Sequence, residues 1–561
     1  SGKINTLALD IPLQAADKTR FQASWSDLAW KQWKLLPGAE HFSGTLSGSV
    51  ENGLLTASMK QAKMPYETVF RAPLEIADGQ ATISWLNNDK GFQLDGRNID
   101  VKAKAVHARG GFRYLQPAND EPWLGILAGI STDDGSQAWR YFPENLMGKD
   151  LVDYLSGAIQ GGEADNATLV YGGNPQLFPY KHNEGQFEVL VPLRNAKFAF
   201  QPDWPALTNL DIELDFINDG LWMKTDGVNL GGVRASNLTA VIPDYSKEKL
   251  LIDADIKGPG KAVGPYFDET PLKDSLGATL QELQLDGDVN ARLHLDIPLN
   301  GELVTAKGEV TLRNNSLFIK PLDSTLKNLS GKFSFINSDL QSEPLTASWF
   351  NQPLNVDFST KEGAKAYQVA VNLNGNWQPA KTGVLPEAVN EALSGSVAWD
   401  GKVGIDLPYH AGATYNIELN GDLKNVSSHL PSPLAKPAGE PLAVNVKVDG
   451  NLNSFELTGQ AGADNHFNSR WLLGQKLTLD RAIWAADSKT LPPLPEQSGV
   501  ELNMPPMNGA EWLALFQKGA AESVGGAASF PQHITLRTPM LSLGNQQWNN
   551  LSIVSQPTAN G

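Results

Sequence analysis

Apolar and polar residues alternate along most of this chain. Between residues 283 and 297 every second residue is apolar or glycine, and the residues between them are polar or charged. The same pattern recurs at 210–216, 250–256, 415–419 and 444–448. Successive side chains of a strand point to opposite faces, so the pattern predicts strands with one apolar and one polar face.

The run from 283 to 297 is too long for one regular strand. At about 3.3 Å per residue it would extend about 50 Å, whereas strands are usually about 17–20 Å long. We therefore expect a bend or a bulge near Gly287.

Helical periodicity is scarce. The clearest helix is predicted after Pro143, where apolar residues recur at helical spacing up to Ile159 and Gly161-Gly162 ends the pattern. Weaker helices are predicted at 261–280, 386–393 and 509–517. The first helix is interpreted as a cap packed on the sheet rather than as a gate for a ligand.

Four short helices cannot cover the apolar faces of so many strands. We therefore predict an all-β protein, an elongated, curved antiparallel sheet that forms an open hydrophobic groove, with a few short accessory helices. An ordinary β-sandwich, or several in tandem, is the alternative, because it would bury the same faces against each other.

The chain also contains an internal repeat. Residues 194–221 align without a gap with residues 313–340, at an offset of 119, and share ten identical residues. We divide the chain into segments 1–140, 141–260, 261–410 and 411–561 of one continuous module.

Composition excludes several classes of function. The 561 residues include 45 basic and 62 acidic ones, a net charge of −17, which disfavours nucleic acid as a partner. The chain has no cysteine, which removes disulfides and thiolate chemistry. Its apolar runs are too short to span a bilayer. It starts at Ser1-Gly2 without a signal peptide and ends at Asn560-Gly561 without a terminating element, so we expect an excised segment of a longer protein.

No catalytic or metal-binding pattern is found. The eight histidines are isolated, and G-x-S-x-G is absent. Asp286-x-Asp288-x-Asn290 resembles the start of a calcium loop, but Ala291 stands in place of the required glycine. Scattered tryptophans are interpreted as core or groove lining rather than carbohydrate platforms. We expect no enzyme activity, no cofactor and no metal.

Residues 140–210 carry a family resemblance. Pro143, the helix up to Ile159, the strand that ends at Gly172, Pro179-Tyr180 and Trp204-Pro205 follow one another as in the AsmA-like proteins of the Gram-negative envelope, which this chain resembles over essentially its whole length. These motifs are structural rather than catalytic.

The resemblance implies a bridge-like lipid-transfer protein. Such proteins are anchored in the inner membrane by a helix that this chain lacks, and they extend through the periplasm. Their long sheet curls into a groove (a "β-taco") that shields phospholipid acyl chains on the way to the outer membrane. Expected partners are therefore phospholipid acyl chains and the two membranes, reached through flanking regions. A scaffolding β-sandwich that supports outer-membrane integrity is the alternative.

The residues predicted to line the groove are apolar members of the alternating strands and of the repeat. They are Phe198, Phe200, Ile212, Leu214, Phe216, Leu285, Val289, Leu293, Leu295, Ile297, Leu317, Ile319, Phe333 and Phe335. Each would supply hydrocarbon contact without polar recognition.

Overall fold

The computed structural model describes residues 1–33, 36–320, 323–522 and 528–555. The chain forms two compact units. Unit 1 comprises Ser1–Lys257 and Arg292–Lys307, and unit 2 comprises Gly258–Ala291 and Gly308–Gly561. The division into four segments stays a prediction.

Unit 1 is an antiparallel meander, in which each strand pairs with the next along the chain. The meander ends at β14, which also pairs with β16 (Asp288–Pro298). The strands are β1 (Lys3–Asp10), β2 (Arg20–Trp30), β3 (Ala39–Ser49), β4 (Asn52–Met64), β5 (Leu74–Asn88), β6 (Gly91–Ala103), β7 (Val106–Pro117), β8 (Trp123–Thr132), β9 (Ile159–Gly173), β10 (Gln186–Phe198), β11 (Leu207–Ile217), β12 (Gly220–Leu230), β13 (Val233–Ile242) and β14 (Lys249–Pro259).

Two helices interrupt this meander between β8 and β9. They are α1 (Glu144–Met147) and α2 (Lys149–Ala158), and the 3-10 turn Gly135–Tyr141 precedes them. Asp134 caps that turn by accepting a hydrogen bond from the Ser136 amide. The predicted helix from Pro143 to Ile159 is confirmed, with a break at Gly148.

Unit 2 is also mainly antiparallel. Its strands are β15 (Leu283–Asp286), β17 (Thr305–Ile319), β18 (Ser324–Ile336), β19 (Asp339–Ser342), β20 (Leu345–Trp349), β21 (Gln352–Glu362), β22 (Ala366–Trp377), β23 (Leu393–Gly395), β24 (Val397–Pro408), β25 (Thr414–Asp422), β26 (Val426–Ser428), β27 (Ala443–Asn451), β28 (Ser454–Ala461), β29 (Asn465–Leu472), β30 (Leu477–Ala486), β31 (Gly499–Asn503), β32 (Met507–Asn508), β33 (Ala528–Ser529), β34 (Ile534–Leu543) and β35 (Gln546–Ser555).

The helices of unit 2 are short. They are α3 (Val263–Asp268), α4 (Ala278–Glu282), α5 (Glu387–Asn390) and α6 (Gly509–Glu522), with one π-helical turn at Lys273–Gly277. All three weaker predicted helices are therefore present, although the first is broken into pieces. Some parallel pairs were not predicted. Strand β30 pairs in parallel with β31 and β33, and strand β34 pairs in parallel with β31 and β32.

The predicted break in the run from 283 to 297 is confirmed. Gly287, at φ +90°, separates β15 from β16. The buried Asn315 side chain holds this break, because its Nδ2 donates hydrogen bonds to the carbonyl oxygens of Asp286 and Asp288, at 3.0 and 3.1 Å. Asp286 and Asp288 thus flank a strand interruption.

The internal repeat has a backbone counterpart. Asn195, Asn209 and Asn218 adopt left-handed conformations in unit 1, and the asparagines 119 residues later, Asn314, Asn328 and Asn337, do so in unit 2. Asparagine tolerates this conformation better than most residues do. In both copies the backbone N–H of the first of these asparagines donates a hydrogen bond to a side chain on the next strand. Asn195 donates to Asp211 in unit 1, and Asn314 donates to Ser330 in unit 2.

Irregular register accompanies these residues. In unit 1 the pairing shifts within β1–β2, β2–β3, β5–β6, β6–β7, β8–β9, β9–β10, β10–β11 and β13–β14. Bulges bend a strand and increase its local twist. The long strands of this unit are therefore bent part-way along their length.

The predicted fold class is confirmed, since both units consist mainly of antiparallel strands with a few short helices.

Candidate functional site

The strand register of unit 1 defines one continuous apolar face, called the inner face below. Phe216 pairs with Val189, Val189 with Leu169, Leu169 with Ala128, and Ala128 with Gly110. Directly paired residues point to the same side of a sheet. Side chains two residues away along each strand share that side, so the same face continues from β11 back to β1.

Over β1–β9 the inner face is open along part of each strand, whereas Met59, further along β4 on the same face, is buried in a small cluster against Trp30 and Phe42. In the open part none of the large apolar side chains is buried, and the three on β1 are more than half exposed. These side chains are Ile4, Leu7, Leu9, Phe21, Trp25, Leu46, Leu55, Ile83, Trp85, Leu94, Phe112, Tyr114, Leu124, Ile126, Leu169 and Tyr171. We call these residues the open row. A contiguous, incompletely covered apolar surface of this extent is typical of a binding surface.

Glycines let aromatic rings lie flat in the open row. A Cβ added to Gly96 would lie 2.2 Å from the Phe112 ring, and one added to Gly53 would lie 2.1 Å from the Trp85 ring. Both glycines pair directly with a residue of the same face, so each ring covers its neighbour's bare backbone. The lining is therefore low and smooth at these positions.

Over β9–β14 the same face is closed. Its side chains belong to one cluster with the helix residues Leu151, Val152 and Leu155, which are at most 1% exposed. Phe142, just before α1, packs against Phe216 with 6.4 Å between ring centroids. The Tyr154 hydroxyl donates to the Phe200 carbonyl at 3.2 Å. Residues 142–158 thus cover this part of the inner face.

The predicted lining residues lie mostly in closed clusters. In unit 1, Phe198, Ile212, Leu214 and Ile297 are buried in the cluster under α2, and Phe200, Phe216 and Leu295 pack against it. In unit 2, a second cluster contains buried Val289 together with half-buried Leu285, Leu317, Ile319 and Phe333. Leu293 and Phe335 are half-buried and outside both clusters. Their role as lining stays a prediction.

Unit 2 repeats the combination of a closed and an open region. Its closed cluster includes Val289 and otherwise lies on β17–β22, where Leu345 is 1% exposed. From β24 to β29 most of the apolar face is again half-buried, with Val403 paired to Ile417, Ile417 to Val448 and Val448 to Leu457. Tyr415 on the same face is buried, and Val403 packs against the closed cluster. Phe467 lies over Gly459 as Phe112 lies over Gly96.

The opposite face carries the charges. On β6 and β7, Asp95 accepts hydrogen bonds from Arg113, at 2.6 Å for the shorter, and this contact holds the pKa of Asp95 below its ordinary value. On β10 and β11 burial, and then repulsion from Glu188 and Glu213, raises the pKa of Asp215. Charged groups thus alternate with the apolar lining along the same strands.

Sequence reasoning missed the open row. The signal was present, since Leu124, Ile126 and Ala128 alternate with Gly125, Leu127 and Gly129 on β8. Glycines on both faces weaken the contrast between them, and Leu127, which is 64% exposed on the charged side, breaks the pattern.

Comparison with known families agrees with this architecture. The family model described as YhdP protein matches residues 1–561. The chain belongs to the YhdP family. This family consists of AsmA-like envelope proteins, so the match confirms the family resemblance drawn from residues 140–210. It is not known as an enzyme family. No solved structure gives a significant match. None of the helices within the described ranges is long and apolar enough to cross a bilayer.

Proposed function

We propose that this chain is the periplasmic part of a bridge-like lipid-transport protein of the YhdP family. Phospholipid acyl chains lie on the apolar strand faces while lipid moves between the inner and the outer membrane, and an anchor outside this chain tethers the protein to the inner membrane. The observation that carries the proposal is the open row, a set of apolar side chains that the folded unit leaves partly exposed.

The free energy at stake is large. A diacyl phospholipid exposes about thirty methylenes in water, at about 0.8 kcal/mol each, a total of about 24 kcal/mol. A surface that covers the chains removes most of this cost. The open row offers such a surface and pairs it with a charged opposite face that keeps the unit in water.

The size of the open row suits lipid. It crosses nine strands, β1–β9, and eight spacings of about 4.8 Å make it about 38 Å long across the sheet. An acyl chain fills one leaflet of a hydrocarbon core about 30 Å thick, so it is about 15 Å long. Two lipids therefore fit one after the other, which favours a conduit over a single pocket.

Photocrosslinking tests the proposal. Photoreactive benzoylphenylalanine replaces Phe112 on the inner face or, as a matched control, its neighbour Arg113 on the charged face. The purified chain is mixed with vesicles of palmitoyl-oleoyl phosphatidylethanolamine and phosphatidylglycerol and irradiated. We expect lipid adducts at position 112 and not at position 113. Equal yields, or none at position 112, would contradict the proposal.

The closed clusters favour a second candidate, a scaffolding protein of the envelope without lipid transport. Leu214, Leu221 and Ile242 are at most 3% exposed, as in a dry protein core. Native mass spectrometry of gently purified protein distinguishes the two functions, since a scaffold would carry no lipid.

A further inference from the structure

Residues 142–158 occupy the inner face where an acyl chain would otherwise lie. The open row continues in register into β10 and β11, through Leu169, Val189 and Phe216. There Phe142 and α2 cover it, with Val152 and Leu155 completely buried. The apolar face is thus continuous along the sheet, whereas the space above it is not.

A cluster of ion pairs fastens these residues to the β4–β5 loop. Arg71, in that loop, donates hydrogen bonds to Glu144 at the start of α1 and to Asp153 on α2, the latter at 2.6 Å. The Glu144 amide also donates to the Val69 carbonyl at 3.1 Å. Lys149 pairs with Asp153 on the same helix. We call the Arg71 contacts with Glu144 and Asp153 the latch.

Glycines flank α2 on both sides. Gly148, at φ +85°, separates α1 from α2, and a Cβ added there would meet nothing within 4 Å. Gly161 and Gly162 lie near the start of β9, where Gly161 pairs with Lys197 and Gly162 has φ +128°. Backbone at a glycine such as Gly148, between two helices and with free space around it, accepts large changes in dihedral angle.

We propose that residues 142–158 are a displaceable plug in the lipid path of unit 1, held closed by the latch. The inference rests on the proposed function. A lipid that advances from the open row displaces the plug, because its hydrocarbon replaces the contacts that Leu151, Val152 and Leu155 make with the sheet. The latch then sets how often this segment opens, so the plug regulates passage through the conduit.

Two crosslinking positions on the same face test the plug. Benzoylphenylalanine is placed at Phe112, in the open row, or at Phe216, under the plug. Each is combined with Arg71→Glu, which breaks the latch, or with Arg194→Glu as a control. Arg194 forms an exposed ion pair with Asp165 on β9, so its replacement makes the same charge change away from the plug.

We expect Arg71→Glu to raise the lipid adduct yield at position 216 relative to position 112 by about fivefold, the shift that loss of a partly exposed ion-pair cluster gives. Adding Glu144→Arg and Asp153→Arg to Arg71→Glu should reverse the increase. Arg194→Glu should leave the ratio unchanged. A folded Arg71→Glu protein with the wild-type ratio would overturn the plug. Absence of adducts at position 112 in every protein would instead overturn the proposed function.

A reversible crosslink tests the plug at constant latch charge, because the oxidised and the reduced protein both lack the Glu144 carboxylate. The chain has no cysteine, so Val69→Cys with Glu144→Cys introduces a single possible disulfide, between residues joined by a backbone hydrogen bond. Oxidation should abolish adducts at position 216 and dithiothreitol should restore them, while position 112 stays unchanged. Equal yields at position 216 in the oxidised and the reduced protein would refute the displacement of the plug.

Discussion

A charge placed in the open row should block lipid binding without unfolding the unit. Ile126 on β8 is half-buried on the inner face, between Phe112 and Tyr171 on the neighbouring strands. Leu127, the next residue, is 64% exposed on the charged face. Ile126→Asp and Leu127→Asp therefore make the same chemical change on opposite sides of one strand.

The magnitude follows from the strand spacing. An acyl chain about 15 Å long crosses about three strands that are about 4.8 Å apart. About five of its roughly fifteen methylenes then contact each strand, and they contribute about 4 kcal/mol at about 0.8 kcal/mol each. A carboxylate at Ile126 removes between half and all of this contact, which weakens lipid binding by about 2–4 kcal/mol, or roughly 30- to 700-fold.

Extraction of fluorescent phospholipid from vesicles by the purified chain measures this effect, and circular dichroism verifies folding. We expect a large loss for Ile126→Asp and a change of less than about twofold for Leu127→Asp. A folded Ile126→Asp protein that extracts lipid like wild type would refute the assignment of the open row. Equal losses in the two variants would refute the distinction between the faces.

Three further predictions concern stability, measured by urea unfolding. Leu155→Ala, which opens a cavity under α2, should lower the free energy of unfolding by about 3–5 kcal/mol. Leu146→Ala at an exposed site should change it little. Similar free energies of unfolding for the two variants would contradict the closed cluster. Asn315→Ala should cost about 1–3 kcal/mol because two carbonyls at the strand break lose their donor, and exposed Asn290→Ala is its control. Hydrogen bonds from Lys149 and then Arg71 hold the pKa of Asp153 below its ordinary value of 3.8. The ionised Asp153 therefore stabilises the fold at pH values above 3.8, and this stabilisation is lost as the pH falls through the lowered pKa. The difference in urea midpoint between wild type and Asp153→Asn should therefore shrink in acid, and a constant difference would argue against the ion pairs.

Alternation specifies strand faces but not what covers them. Phe216 and Phe112 occupy equivalent positions in alternating strands, and the strand around each follows from its local sequence. Only the fold distinguishes them, since residues 142–158 pack against Phe216 and leave Phe112 open. The break at Gly287 was predictable from strand length and glycine, whereas Asn315, which holds it, lies far along the chain and carries no local signal. The latch is equally non-local, because Arg71 and Asp153 are separated by several strands.

The discontinuity of unit 1 along the chain constrains how the protein is made. Ile297, 1% exposed, belongs to the core cluster of unit 1, yet the polypeptide enters unit 2 at Gly258 before it returns at Arg292. During synthesis, β16 therefore completes unit 1 only after residues 258–291 of unit 2 have been made. A recombinant fragment that stops near residue 258 would leave the hydrogen-bonding edge of β14 bare and prone to aggregation.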